Sequence, residues 1–400
     1  MIPSPNRAAQ RLRIIVLSYV IRGPLGGRTW SKLHYLMGLS RLGHEVYYVE
    51  DSDDYPSCYD PARDIVDRDA TYGLRFAEHI FRSIGMGRRW AYYDAHQTRW
   101  QGPCANRILD ICDTADVVIN LCGINPLRPW LLDIPVRVYV DQDPAFTQIR
   151  HLTSDSARKF AQQHTAFFSF GENIGQPQSR IPDDGFPWQP TRQPVVIDAV
   201  RYTPGPPHGN LTTVMLWDSY PSREYSGIRY GMKSDTFAPY LEIPAHTDES
   251  FELALGGPTA PRELLQRQGW TLRDSREPTR DPWTYQHYIR QSKAEFSVAK
   301  HGYVASHSGW FSERSLAYLA SGRPVLTQET GFSNWLEADA GVLPFTTPAE
   351  VLDNLARLNA RYQVHCRAAR EVAASYFDAE EVLSGLLERA FQQMPTAIAT

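Results

Sequence analysis

The sequence predicts an α/β protein made of two Rossmann-like domains with a helical tail. Three observations carry that reading. A strand, glycine turn, helix and strand open the chain; a second strand-and-helix series follows a proline-rich connection; and the chain from Pro348 onward is helical in pattern. The length of 400 residues also exceeds what one hydrophobic core usually serves, so two domains of about 200 residues each are expected.

Arg13–Ser18 (RIIVLS) is a continuous apolar run of strand length, the mark of a strand covered on both faces. The turn Arg22–Gly27 leads to an amphipathic helix over Arg28–Leu42, with Trp30, Leu33, Met37 and Leu42 on one stripe. Gly43 stops it, and Glu45–Glu50 (EVYYVE) is the next strand. This is a βαβ unit, hence a parallel sheet. Asp116–Leu121, Val136–Val140 and Ala166–Phe170 add strands. Prolines at 182, 187, 190, 194, 204, 206 and 207 then mark a connection. The chain divides as a first domain 1–185, a linker 186–208, a second domain 209–375 and a terminal helix 376–400.

In the second domain, Thr212–Trp217, Phe251–Leu255, Trp270–Asp274, Glu295–Ala299 and Pro324–Thr327 are strand candidates. Helices are expected at Glu263–Gln268, Pro282–Ser292 and Ser312–Ser321. Asp378 followed by Glu381 has the form of a capping box. Ligands in such sheets bind beyond the carboxyl ends of the strands, so the cleft between facing domains is the expected site.

Composition narrows the chemistry. Lys and Arg total 41 against 45 Asp and Glu, a net charge of −4, which argues against a nucleic-acid surface. Five cysteines form no CxxC and cannot all pair, so reduced thiols and a cytoplasmic setting are expected. No apolar run reaches the roughly 18–20 residues of a membrane helix, and the opening MIPSPNRAAQRLR is expected to be a frayed tail without a signal-peptide core. The 10 Trp, 21 Tyr and 16 Phe suit ring stacking on sugars as well as core packing. The sequence has no HExxH or HxxxH pair, no GxxxxGK[ST] and no GxSxG, so a metal hydrolase, a P-loop kinase and an α/β-hydrolase are unsupported and no metal is expected.

The candidate chemistry centres on Ser306–Gly322. Ser312 is a natural N-cap, and a helix start offers unpaired amides and a positive dipole to a phosphate. A diphosphate would meet the amides at Gly309 and Ser312–Ser315, hydroxyls of Ser308, Ser312 and Ser315, and the Arg314 guanidinium. An ordinary capped helix fits the same residues. Lys300 follows a strand end, and Arg223 and Lys233 lie in the loop after another; each is a candidate cation for the leaving group. In the first domain Gly26 and Gly27 permit close backbone approach in the cleft, although they do not form GxGxxG. Asp141 and Asp143 end a strand and are candidates to take a proton from an acceptor hydroxyl, or simply to cap the turn.

Several of these segments together resemble the GT-B glycosyltransferases. They are Tyr288–Lys300, Ser308–Val325, Thr330-Gly331-Phe332, Gly341-Val342-Leu343 with Thr347–Val351, and Tyr376–Val382. The turn Arg22–Gly27 and Gly43-His44-Glu45-Val46 fit that family's opening unit. The resemblance implies two Rossmann-like domains facing a cleft, with a last helix that crosses back onto the first domain. It implies an acceptor site in the first domain and a nucleotide-sugar site in the second, with diphosphate contacts at Gly309–Ser315 and sugar contacts near Thr330 and Gly331.

The implied activity is transfer of a sugar from a nucleotide diphosphate to an acceptor hydroxyl without metal or cofactor, the acceptor being a small molecule or a carrier. A silent nucleotide-sugar-binding protein and a nucleotide-sugar epimerase are the alternatives on this scaffold. Retaining members often carry two glutamates where this chain has Gly309 and Ala317, and inverting members a histidine within the stretch that is Tyr19–Gly27 here. Neither is present, so the stereochemical course stays open.

Overall fold

The computed structural model describes residues 11–337 and 339–394. Most of the expected frayed tail, residues 1–10, and residues 395–400 of the expected terminal helix lie outside the described residues. The apolar runs become the buried strands of two sheets. The first sheet contains β1 (Arg13–Leu17), β2 (Glu45–Asp51), β5 (Trp90–Asp94), β6 (Arg99–Gln101), β7 (Val117–Leu121), β8 (Val136–Asp141), β9 (Ala166–Ser169) and β10 (Trp188–Pro190). A small hairpin, β3 (Cys58–Asp60) and β4 (Ile65–Asp67), rides on the loop after β2. The strand order is β10-β9-β8-β7-β1-β2-β5-β6, parallel except for β6.

The second sheet is parallel, in the order β15-β14-β11-β16-β17-β18. Its strands are β11 (Leu211–Leu216), β14 (Phe251–Gly256), β15 (Thr271–Asp274), β16 (Ala294–Ser297), β17 (Val325–Gln328) and β18 (Val342–Phe345). A hairpin of β12 (Arg223–Tyr225) and β13 (Ile228–Tyr230) is inserted after β11. Strand order reverses between β1 and β7 in one sheet and between β11 and β16 in the other. Those reversals open crevices at the strand carboxyl ends, where ligands bind in such folds.

The helix after β1 spans Gly26–Arg41, two residues longer at its start than the apolar stripe suggested. Trp30, Leu33, Leu36 and Leu39 are buried along it. The helix Ala379–Gln392 lies against the Gly26–Arg41 helix, and Val195 bridges to Asp378 where the chain enters it. Asp378 accepts from the Glu380 and Glu381 amides at 2.9 and 3.3 Å. No helix among the described residues is long and apolar enough to cross a membrane. Cys58, Cys104, Cys112 and Cys366 are buried as thiols, and Cys122 is half-buried.

Gly38 makes the contact between these two helices close. A Cβ there would stand 2.6 Å from Leu383 Cδ1 and 2.9 Å from Ala379 Cβ. Overpacking of this kind costs about 1–3 kcal/mol. Gly38→Val is therefore expected to lower the urea midpoint, and Leu383→Ala in the same chain to recover part of the loss; equal stability of the Gly38→Val and unaltered proteins would contradict the contact.

Candidate functional site

Asp141 ends β8 and is buried, with its oxygens fully employed. It accepts from Thr147 Oγ1 at 2.6 Å, Ser169 Oγ at 2.7 Å, Gln148 Nε2 at 3.2 Å and the Asp143 amide at 2.8 Å. Burial pushes its carboxyl above the ordinary value despite these donors. This corrects the expectation for Asp141: four donors enclose it, so it shapes the turn and does not face an acceptor. The turn it holds presents Asp143 to the second domain.

There Asp143 meets Lys300, the third residue beyond β16. Lys300 Nζ is 3.0 Å from Asp143 Oδ1, while the Tyr303 hydroxyl donates to Oδ1 and the Tyr220 hydroxyl to Oδ2. Lys300 also donates to the Tyr220 hydroxyl at 2.7 Å. Its ammonium sits 4.3 Å from the Tyr220 ring centroid and 5.2 Å from those of Tyr303 and Phe146, an aromatic cage of the kind that favours a cation. Burial pushes the Asp143 carboxyl up, but Lys300 and the two hydroxyl donors outweigh it, and the net position is below the usual range. Asp143 is therefore ionised at neutral pH.

Lys233 follows the β12–β13 hairpin and has no carboxylate within salt-bridge distance among the described residues. Its closest polar contact is the Leu216 carbonyl at 3.5 Å. Burial, then repulsion from Arg314 and Lys300, brings its amine down to about 7, with Asp143 and Glu295 pulling the other way. The helix Glu313–Ala320, which carries Arg314, is capped by Ser312 Oγ, which accepts from the Arg314 amide at 3.2 Å. Ser315, in its first turn, is buried and its hydroxyl has no partner. Glu313 would oppose an anion there, but it is drawn away to Lys32 of the first domain, whose Nζ lies 3.2 Å from Glu313 Oε1 and 2.8 Å from Gln142 Oε1. Lys32 is only 2% exposed, and Glu313 holds its amine above the ordinary value against the effect of burial.

Other expected site residues are placed differently. The Arg314 guanidinium is spent inside the second domain, on Glu295, on Ser297 Oγ at 2.6 Å and on the Val214 carbonyl at 2.9 Å. It is not an open fork for phosphate. The Gly309 amide donates to the Thr330 carbonyl at 2.9 Å, and Asn173 of the first domain covers the turn by donating to the His307 and Gly331 carbonyls, both at 3.0 Å. The Ser308 hydroxyl accepts from the Trp310 amide at 3.3 Å, and Thr330 Oγ1 donates to the Trp310 carbonyl at 2.5 Å. Ser308, Gly309, Thr330 and Gly331 thus build the turn and do not present a cradle.

Gly26 and Gly27 do serve a close approach, but of protein. The Gly26 amide donates to the Thr279 carbonyl at 2.6 Å, a Cβ on Gly26 would fall 2.2 Å from the Asp281 carbonyl oxygen, and one on Gly27 would meet the Tyr285 ring at 3.1 Å. Arg223 lies on β12 and makes no side-chain hydrogen bond or ion pair with the described residues. The structure thus brings together Asp143, Lys300 and Lys233 of the expected set and adds Tyr220 and Tyr303, while Lys32 ties the Gln142 turn to Glu313 at the start of the helix that carries Ser312 and Ser315. Tyr303 carried a usable signal, standing three residues beyond Lys300 at the start of a helix.

No protein-family model and no curated protein matches the sequence. Solved structures do match its fold. An alpha-glucosyltransferase in complex with UDP-glucose and DNA containing an abasic site superposes with a TM-score of 0.60 at 11% identity, covering 95% of this chain and all of that one. Anabaena Alr3699/HepE in complex with UDP-glucose gives 0.54 at 13% identity, with 96% and 100% covered. A glycosyltransferase from Rickettsia africae gives 0.51 at 10% identity, with 97% and 100% covered. The architecture is the two-domain GT-B fold.

Lys233 gives a stability signature. An amine with a depressed value in the folded chain costs stability in full below about pH 7, and the cost fades as the pH rises toward the ordinary lysine range near 10.5. Lys233→Met is expected to raise the thermal midpoint at pH 6, with a smaller gain at pH 10. An equal effect at both pH values would place the ammonium in ordinary solvent.

Proposed function

We propose that this chain is a glycosyltransferase that moves a sugar from a nucleotide-diphosphate donor to an acceptor hydroxyl. The observation that carries the reading is the charge balance at the carboxyl edge of the second sheet. Two ammonium groups, Lys233 and Lys300, face one carboxylate, Asp143. A departing diphosphate supplies the missing negative charge, and the lysines stabilise it as the bond to the sugar breaks. The Glu313–Ala320 helix adds its positive end. Protein cations fill this role without any metal being required.

The first domain supplies Asp143. It is the one carboxylate of the expected pair that reaches the facing domain, and it accepts the acceptor hydroxyl's proton as that oxygen attacks the sugar carbon. The fold neighbours support the donor class, since those named above include enzymes solved with UDP-glucose. The DNA in one of them belongs to that protein. With a net charge of −4, this chain is better suited to a small-molecule or carrier acceptor.

A thermal-shift panel of UDP, GDP, dTDP and ADP with their sugars tests the reading. The matching nucleotide at 100 times its dissociation constant adds about 2.7 kcal/mol of stability. Lys300→Ala then lowers release of nucleoside diphosphate from the sugar donor by about 10²–10³-fold. A panel in which no nucleotide moves the unfolding transition contradicts it.

A further inference from the structure

The cluster around Asp143 has more in it than leaving-group binding needs. Its carboxylate is the sole acidic partner of Lys300 among the described residues, and the contact joins the domains across 157 residues of chain. Both oxygens are engaged: Oδ1 by Lys300 and Tyr303, Oδ2 by Tyr220. A carboxylate held this way is a poor proton acceptor, because an ammonium and two hydroxyls share its charge and occupy three of its roughly four lone-pair positions. In the same position it fills the place beside Lys300 that an anionic ligand would take.

We propose, resting on the transferase reading above, that Lys300 is handed from Asp143 to the donor diphosphate, so that the proton-accepting carboxylate is armed only once the sugar donor is bound. In the donor-free protein the Lys300 ammonium pairs with Asp143. An incoming diphosphate oxygen takes that ammonium, with Lys233 beside it. Asp143 then keeps its two tyrosine donors and loses its counter-charge. Of the influences on the carboxyl, burial acts upward and Lys300 is the foremost one acting downward, so losing Lys300 strengthens the base. In the chemical step the acceptor hydroxyl loses its proton to an Asp143 oxygen and its oxygen forms the bond to the sugar carbon. The bond from that carbon to the diphosphate breaks, and the electron pair leaves with the diphosphate, held by Lys300 and Lys233. The order of events follows: donor first, acceptor second, with the base disarmed while no donor is present.

Tyr220 and Tyr303 are positioning residues in this scheme. Their hydroxyls keep Asp143 in place while the ammonium is withdrawn, and in the donor-free protein their rings with Phe146 surround that ammonium.

The test is a double-mutant cycle read by calorimetric binding of UDP, or of whichever nucleoside diphosphate the panel selects. Asp143→Asn removes the competitor for Lys300 and is expected to tighten nucleotide binding about 10-fold while lowering turnover. The same substitution in a Lys300→Met background is expected to change affinity less than 2-fold. Tyr220→Phe and Tyr303→Phe, which loosen the cluster but leave the ammonium on Asp143, are expected not to tighten binding. Asp143→Ser repeats the measurement if the Asn variant does not fold. Unchanged or weaker nucleotide binding in the Asp143 variants overturns the handover while leaving the transferase reading standing, and so does tightening by the tyrosine variants, which would mark the cluster as a mere clamp. Absence of nucleotide binding to the unaltered protein removes both.

Discussion

The arrangement turns on a shortage of negative charge between two domains. Among the described residues, Asp143 is the one carboxylate within salt-bridge distance of either Lys233 or Lys300, and the Arg314 guanidinium has already been neutralised by Glu295. Burying an ammonium without a partner is costly, and a chain tolerates the cost where a ligand later removes it. The contrast with Lys32 makes the point. Lys32 is the more deeply buried of the two, yet Glu313 and Gln142 meet it, and its amine is pushed up instead of down. Lys32 bridges the two domains, whereas Lys233 has no carboxylate within salt-bridge distance among the described residues.

The same interface explains why the site is assembled from both halves of the chain. The Gly26 amide bonds to Thr279, Asn173 covers the Gly309 turn, and Asp143 reaches Lys300 and two tyrosines. These contacts join segments that lie beyond the carboxyl ends of strands in the two sheets. Polar pairs across such an interface are exchangeable for ligand contacts in a way that an apolar seam is not, because an incoming anion offers the same chemistry as the carboxylate it displaces.

Much of the architecture was legible because long apolar runs and glycine punctuation are local signals. RIIVLS, EVYYVE and VRVYV read as buried parallel strands, and each is one within a residue or so. Between β2 and β7 legibility failed: WAYYD and RWQ are short and mix aromatic with charged residues, so they carry neither alternation nor a long run, and the helix Thr71–Ser83 follows no clear cap. At the site, Lys300 and Asp143 were legible as residues just beyond strand ends. Their pairing was not, since nothing local links positions 143, 220 and 303. Arg314 misled for the complementary reason: its proximity to a helix start was visible, and its claim by Glu295 on the neighbouring strand was not. Gly26 and Gly27 signalled close approach correctly, but sequence could not say that the approaching backbone was Thr279–Asp281.

A crystal structure of the chain with the sugar nucleotide that stabilises it most would test the central claim directly. The account predicts the diphosphate in contact with Lys233 Nζ and Lys300 Nζ, with the separation of Lys300 from Asp143 lengthened well beyond its present 3.0 Å. A diphosphate seated elsewhere, or an unbroken Lys300–Asp143 pair beside the bound donor, would contradict it.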